Sequence, residues 1–105
     1  MYARNVSMHL KPNTAAEFTR TLDRDIVPIL RKQSGFADEL TFLVADGTEA
    51  VAISLWDTKA NADAYDRTGY PQVLKSLSKV LDGTPVVRTF DVSNSTFHKI
   101  PVRSN

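Results

Sequence analysis

Two short alternating segments carry most of the side chains that could do chemistry. Asn5, Ser7 and His9 alternate near the N-terminus, and Ala52, Ser54 and Trp56 alternate near the middle. Small and polar side chains beside one large ring leave volume that a packed core does not tolerate. A cavity with a few polar groups and an aromatic wall is the usual form of a ligand site. Trp56, the single tryptophan, can wall such a pocket and donate one hydrogen bond. It serves equally well as a core or interface anchor. His9 is a candidate base near neutral pH, or a partly exposed strand histidine. Asn5 could hold a ligand carbonyl or dioxygen through its amide, or bond neighbouring backbone. Tyr65 and Tyr70 lie near the expected pocket mouth. Arg88 could neutralise an anionic substrate, or act as an edge charge that discourages aggregation.

Other chemistries lack their residues. There is no cysteine, and only four glycines, so thiolate chemistry, disulfides and a glycine-rich phosphate loop are excluded. No HExxH or GxSxG pattern occurs. Asp23 and Asp25 fall on opposing sides of a helix. The expectation is therefore no metal and no cofactor of its own. Any redox chemistry must use the substrate itself or a borrowed cofactor.

The 105 residues suit one domain, and 42% hydrophobic with 24% charged residues is ordinary globular usage. Thirteen basic against 12 acidic residues give a net charge of +1, so no global field draws in nucleic acid or an anionic membrane. No run approaches the ~20 apolar residues of a membrane span. The N-terminus shows no leader pattern. A cytoplasmic protein with no membrane partner is expected.

Periodicity supplies the elements that would position these residues. Tyr2 to Lys11 alternates as a strand, with Val6, Met8 and Leu10 on one side. Pro12 breaks it, and Asn13 or Thr14 is the expected helix cap. Phe18, Leu22, Ile26, Ile29 and Leu30 form a helical stripe. Pro28 predicts a kink near Asp25, and Gly35 ends the helix. Phe36–Ala45 and Glu49–Trp56 read as strands joined at Asp46-Gly47. A helix capped by Asp57 or Thr58 runs to about Arg67. A second piece carries Val73, Leu74, Leu77, Val80 and Leu81. Thr84–Val92 is a fourth strand, and residues 93–105 are a polar tail, which could pack on a partner subunit.

The order βαββαβ predicts an α+β, ferredoxin-like fold with an antiparallel four-stranded sheet. Strands one and three become neighbours. On that basis Asn5, Ser7 and His9 are expected to form one continuous patch with Ser54 and Trp56. Helices cover one sheet face, yet both faces carry apolar residues. A symmetric homodimer through the free face is the simplest remedy.

Several segments together resemble the antibiotic biosynthesis monooxygenase superfamily: Lys11-Pro12, Pro28-Ile29-Leu30-Arg31 before Gly35-Phe36, Leu55-Trp56-Asp57, Pro71 with Val73 and Leu74, and the strand through Val86 and Val92. The resemblance spans nearly the whole chain and implies a dimeric α+β barrel. It also implies oxidation of a small aromatic or quinol-type substrate without metal or flavin. Trp56 matches the family tryptophan, Tyr65 or Tyr70 its tyrosine, and Arg88 its arginine. Asn5, Trp56 and His9 are then the expected catalytic group. Ser7, Ser54, Tyr65, Tyr70 and Arg88 would bind the substrate. A haem-degrading branch is disfavoured, because Val73 to Lys79 contains no histidine ligand. The alternative is a non-catalytic dimer, regulatory or binding a small hydrophobic or aromatic molecule, whose ligand the sequence does not name. An RNA-recognition domain shares the element order, but Ala50–Trp56 lacks the basic and stacked aromatic pattern.

Overall fold

A computed structural model describes residues 1–100 of the chain; the end of the tail, 101–105, lies outside the described residues. Four strands form one antiparallel sheet in the order β2-β3-β1-β4. They are β1 (Tyr2–His9), β2 (Phe36–Leu43), β3 (Glu49–Trp56) and β4 (Val86–Asp91). As expected, β1 and β3 are neighbours. The helices are α1 (Ala15–Thr21), α2 (Val27–Arg31), α3 (Lys59–Thr68) and α4 (Tyr70–Leu77).

The kink expected near Asp25 is a π-helical turn, Leu22–Ile26, between α1 and α2. Pro28 follows it in the first turn of α2. Proline cannot donate to the carbonyl four residues back, and a widened turn takes up that lost bond. The helix start differs from expectation. Thr14 makes no side-chain cap; its hydroxyl instead donates to the Lys11 carbonyl at 2.7 Å. Asn13 takes a left-handed φ of 60° in the turn out of β1, a conformation that asparagine tolerates better than most residues. Thr58 does cap α3, accepting from the Asn61 amide.

Between the sheet and the helices lies the core, built on Phe18, Ile26, Leu30, Trp56, Val73 and Leu77. The opposite face keeps large apolar side chains in solvent. Leu40, Phe42, Val86 and Phe90 remain 51%, 53%, 61% and 42% exposed there. Residues 93–100 fold back toward this chain's own β2. The Ser95 hydroxyl accepts from the amides of Phe97 and His98, and the His98 ring pairs with Asp38.

Gly35 links α2 to β2 at φ 77°, and a Cβ there would lie 2.1 Å from Asp57 Oδ1 and 2.8 Å from Asn61 Cβ. Its carbonyl also accepts from the Asp57 amide at 2.9 Å. Gly35→Ala should therefore lower stability by about 1–3 kcal/mol. Urea unfolding checks it: a reduced midpoint at unchanged slope is expected.

Candidate functional site

Strand register decides which side chains meet. In β1 and β3, Tyr2 pairs with Trp56, Arg4 with Ser54, Val6 with Ala52 and Met8 with Ala50. Residues directly opposite share a face, and these pairs belong to the face under the helices. The intervening pairs, Asn5 with Ile53, Ser7 with Val51 and His9 with Glu49, belong to the outer face. Arg88 pairs with Asn5 across β4 and sits on that face too, its guanidinium 5.1 Å from the Phe90 ring centroid.

The expected continuous patch is thus corrected. Asn5, Ser7, His9 and Arg88 lie across the sheet from Ser54, Trp56, Tyr65 and Tyr70. Alternation holds within each strand, but the phase between the strands differs from the expected one. His9 is largely exposed, with Nδ1 3.5 Å from Glu49 Oε1.

On the helix-covered face the aromatic residues form a stack. Trp56 is fully buried, and its indole N–H donates to Ser54 Oγ at 2.9 Å. Tyr65 of α3 stacks on it at 4.8 Å between centroids and 25° between planes. Tyr70, opening α4, follows at 6.1 Å from Tyr65. Gly69 permits that approach, since a Cβ there would fall 2.7 Å from Tyr65 Cδ1. Trp56 is not itself a wall of the cavity described below. Tyr65 stands in front of it, so the tryptophan sets the ring that faces the space.

Arg4 is the residue that sequence reasoning missed. It is 3% exposed, on the same face as Val6 and Met8. Its guanidinium carbon lies 5.2 Å from the Tyr65 centroid and 4.8 Å from that of Tyr70, a cation–π arrangement that lowers the cost of burying charge. Nη1 donates to Asp66 Oδ1 at 2.9 Å, while Nε and Nη2 are buried without a hydrogen-bond partner among the described residues. A signal for Arg4 did exist: it has the parity of Val6 and Met8 in β1, so a charge was due on the apolar side.

Arg4, Ser54, Tyr65 and Tyr70 help to wall a cavity whose other sides come from the π turn, α2 and α4, with Ile26, Leu30, Val73 and Leu77. Its enclosed space is about 40 Å³, and about 490 Å³ when counted out into solvent at its mouth. The smaller figure governs ligand fit. At roughly 10–15 Å³ per water it holds up to about three, and it falls short of the ~150 Å³ that admits benzene. Glu39 contributes the one carboxylate among the walls, and it accepts the Thr41 hydroxyl.

Burial pushes the Tyr65 hydroxyl well above the usual tyrosine range, with the Arg4 charge offsetting part of the rise. Burial moves Tyr70 in the same direction, again against Arg4. Both are therefore hydrogen-bond donors at neutral pH and not bases. Among the described residues, no group of three or more His, Asp or Glu side chains could hold a metal ion. No helix among them is long and apolar enough to cross a membrane.

No protein-family model and no curated protein sequence matches the chain. Solved structures do match its fold. A Nitrosomonas europaea protein of unknown function, NE2512, aligns with a TM-score of 0.74 at 16% identity, over 96% of this chain and 94% of that one. The monooxygenase ActVA-Orf6 of Streptomyces coelicolor, solved with the ligand nanaomycin D, aligns at 0.74 and 16% identity, over 93% and 92%. SnoaB of Streptomyces nogalater, a cofactor-independent oxygenase, aligns at 0.72 and 16% identity, over 90% and 95%. The class of protein is thus defined at the level of fold: an α+β, ferredoxin-like domain of the kind seen in these oxygenases.

Two outcomes follow from the buried pair of Arg4 and Asp66. Asp66→Ala strands the buried guanidinium and should cost about 1–3 kcal/mol. Arg4→Met replaces a charge with two unpaired nitrogens by an apolar chain, and should leave stability unchanged or raise it; urea unfolding of both variants measures this. A third outcome concerns alkali. Folded Tyr65 keeps its proton above the ordinary value of 10.0, where the unfolded chain loses it. Its contribution to stability is therefore complete below about pH 10 and declines as pH rises beyond it. Unfolding measured across the alkaline range should show that decline, and Tyr65→Phe should flatten it.

Proposed function

We propose that the chain is a member of the antibiotic biosynthesis monooxygenase superfamily and oxidises a small, electron-rich aromatic or quinol-type substrate without a cofactor. The observation that carries this reading is the buried Arg4, set against two tyrosines that keep their protons, at the wall of an otherwise apolar cavity. Likeness in fold to SnoaB and ActVA-Orf6 supports it.

The residues divide the work as follows. Arg4 draws in and orients an anionic substrate. Glu39, the wall's carboxylate, removes a proton from the reacting carbon or hydroxyl. Tyr65 and Tyr70 donate hydrogen bonds to the oxygen on which negative charge collects. The substrate anion then passes an electron to dioxygen, and the resulting radicals combine. A ring methylene loses both hydrogens in the process: one oxygen atom becomes its carbonyl and the other leaves in water. The substrate supplies all the electrons, so no further reductant enters. Trp56 acts indirectly, by stacking on Tyr65. A ring-sized substrate needs the helices to part from the sheet, since the enclosed space is only about 40 Å³.

That small volume favours a second reading, a non-catalytic dimer that binds a small ligand. Oxygen uptake with a panel of anthrones and quinols separates the two. The enzyme reading expects turnover that falls about 100-fold or more in Glu39→Gln. Absence of uptake across the panel favours the binding protein.

In either reading the active form is a homodimer joined through the outer sheet face. Leu40, Phe42, Val86 and Phe90 would otherwise leave an apolar surface in water. Sedimentation at micromolar concentration should give a dimer for the parent chain and a monomer for Phe42→Asp.

A further inference from the structure

We infer that the free edge of Arg4 is a receptor for a carboxylate, and that the ligand of this cavity is a small monocarboxylate with an apolar body. The inference rests on the reading that the cavity is the ligand site, and it adds a carboxylate to the ligand which that site takes. It does not depend on whether the ligand is then oxidised.

The two nitrogens without a partner among the described residues are Nε and Nη2. They lie on one edge of the guanidinium, with their N–H bonds side by side. That edge matches the two oxygens of a carboxylate, which it grips with parallel hydrogen bonds. The other edge is already engaged through Nη1 with Asp66. Asp66 is half exposed, with 52% of its side chain accessible, so it does not complete the coordination of a guanidinium that is itself 3% exposed. A neutral carbonyl offers these N–H groups one oxygen and no charge, where a carboxylate offers two oxygens and a charge, and buried unpaired donors are expensive. Natural cores seldom retain such a group without a use.

The remaining walls define the rest of the ligand. Ile26, Leu30, Val73 and Leu77 are apolar and suit a hydrocarbon body. Glu39, also a wall, opposes a second negative charge, which selects monoanions over phosphates or dicarboxylates. The enclosed 40 Å³ holds neither a ring nor a branched hydrocarbon body whole, so either extends toward the mouth. Tyr70 lies over the guanidinium at 4.8 Å and is only half-buried at the start of α4. It is the side chain that yields when the carboxylate enters, after which its protonated hydroxyl can donate to the same anion.

The test compares each acid with its neutral isostere: isovalerate with isovaleramide, and benzoate with benzamide. Affinities come from two-dimensional NMR titration of the full chain. Each acid should bind about tenfold tighter than its amide or better, the worth of a charge-assisted hydrogen bond. The preference should vanish in Arg4→Met. It should shrink in Arg4→Lys, which keeps the charge and loses the fork. It should survive in Tyr2→Phe, a change away from the cavity. Shifted resonances should centre on Tyr65, Tyr70 and Val73. Equal binding of acid and amide overturns the inference. So does binding of neither, or an acid preference that persists in Arg4→Met. Should Arg4→Met fail to fold, Arg4→Lys and the acid-to-amide ratio in the parent chain still decide. Acid-selective binding without oxygen uptake keeps this inference and removes the oxygenase. Uptake of a neutral quinol without acid selectivity does the reverse.

Discussion

The pairing of β1 with β3 is the constraint on which everything else depends. Arg4 opposite Ser54 and Tyr2 opposite Trp56 bring a cation and the aromatic stack onto the face beneath the helices. A slip of one residue would exchange the faces. Asn5 and His9 would then point at the helices, and Arg4 would face solvent. The apolar partners resist that slip: Val6 with Ala52 and Met8 with Ala50 cover the core that Phe18, Leu30 and Leu77 complete.

From this register follows a division of labour between the two faces. The inner face holds a charge that the fold tolerates at some cost. Cation–π contact with two tyrosines and one bond to Asp66 offset part of the desolvation, and two nitrogens remain unpaired among the described residues. A core chosen for stability alone would place an apolar residue there. An arginine there breaks a local rule, and such departures from local rules concentrate at binding and catalytic sites. The outer face shows no such conflict. Its apolar residues need only be covered, and its polar ones, Asn5, Ser7 and Arg88, sit among them as ordinary neighbours on strands.

Much of the fold was legible in the sequence because each element announced itself locally. Alternation in Val6, Met8 and Leu10 gave β1; the Asp46-Gly47 turn gave the hairpin; Pro28 gave a break in the first helix, observed as the π turn. What failed was non-local. Alternation says which residues of one strand share a side, and nothing in it relates that side to a neighbour's. Asn5 was therefore grouped with Trp56, although it pairs with Ile53. Arg4 was overlooked because a charged residue is ordinarily assigned to solvent. Its burial depends on Tyr65, Tyr70 and Asp66, sixty or more residues away.

Nuclear Overhauser contacts of the Arg4 guanidinium test the central claim most directly, because they report which face of β1 meets the aromatic stack. The account predicts a slowly exchanging Arg4 Nε–H with contacts to the ring protons of both Tyr65 and Tyr70. A rapidly exchanging Arg4 Nε–H, with Tyr65 contacting the Asn5 side-chain amide instead, would contradict it.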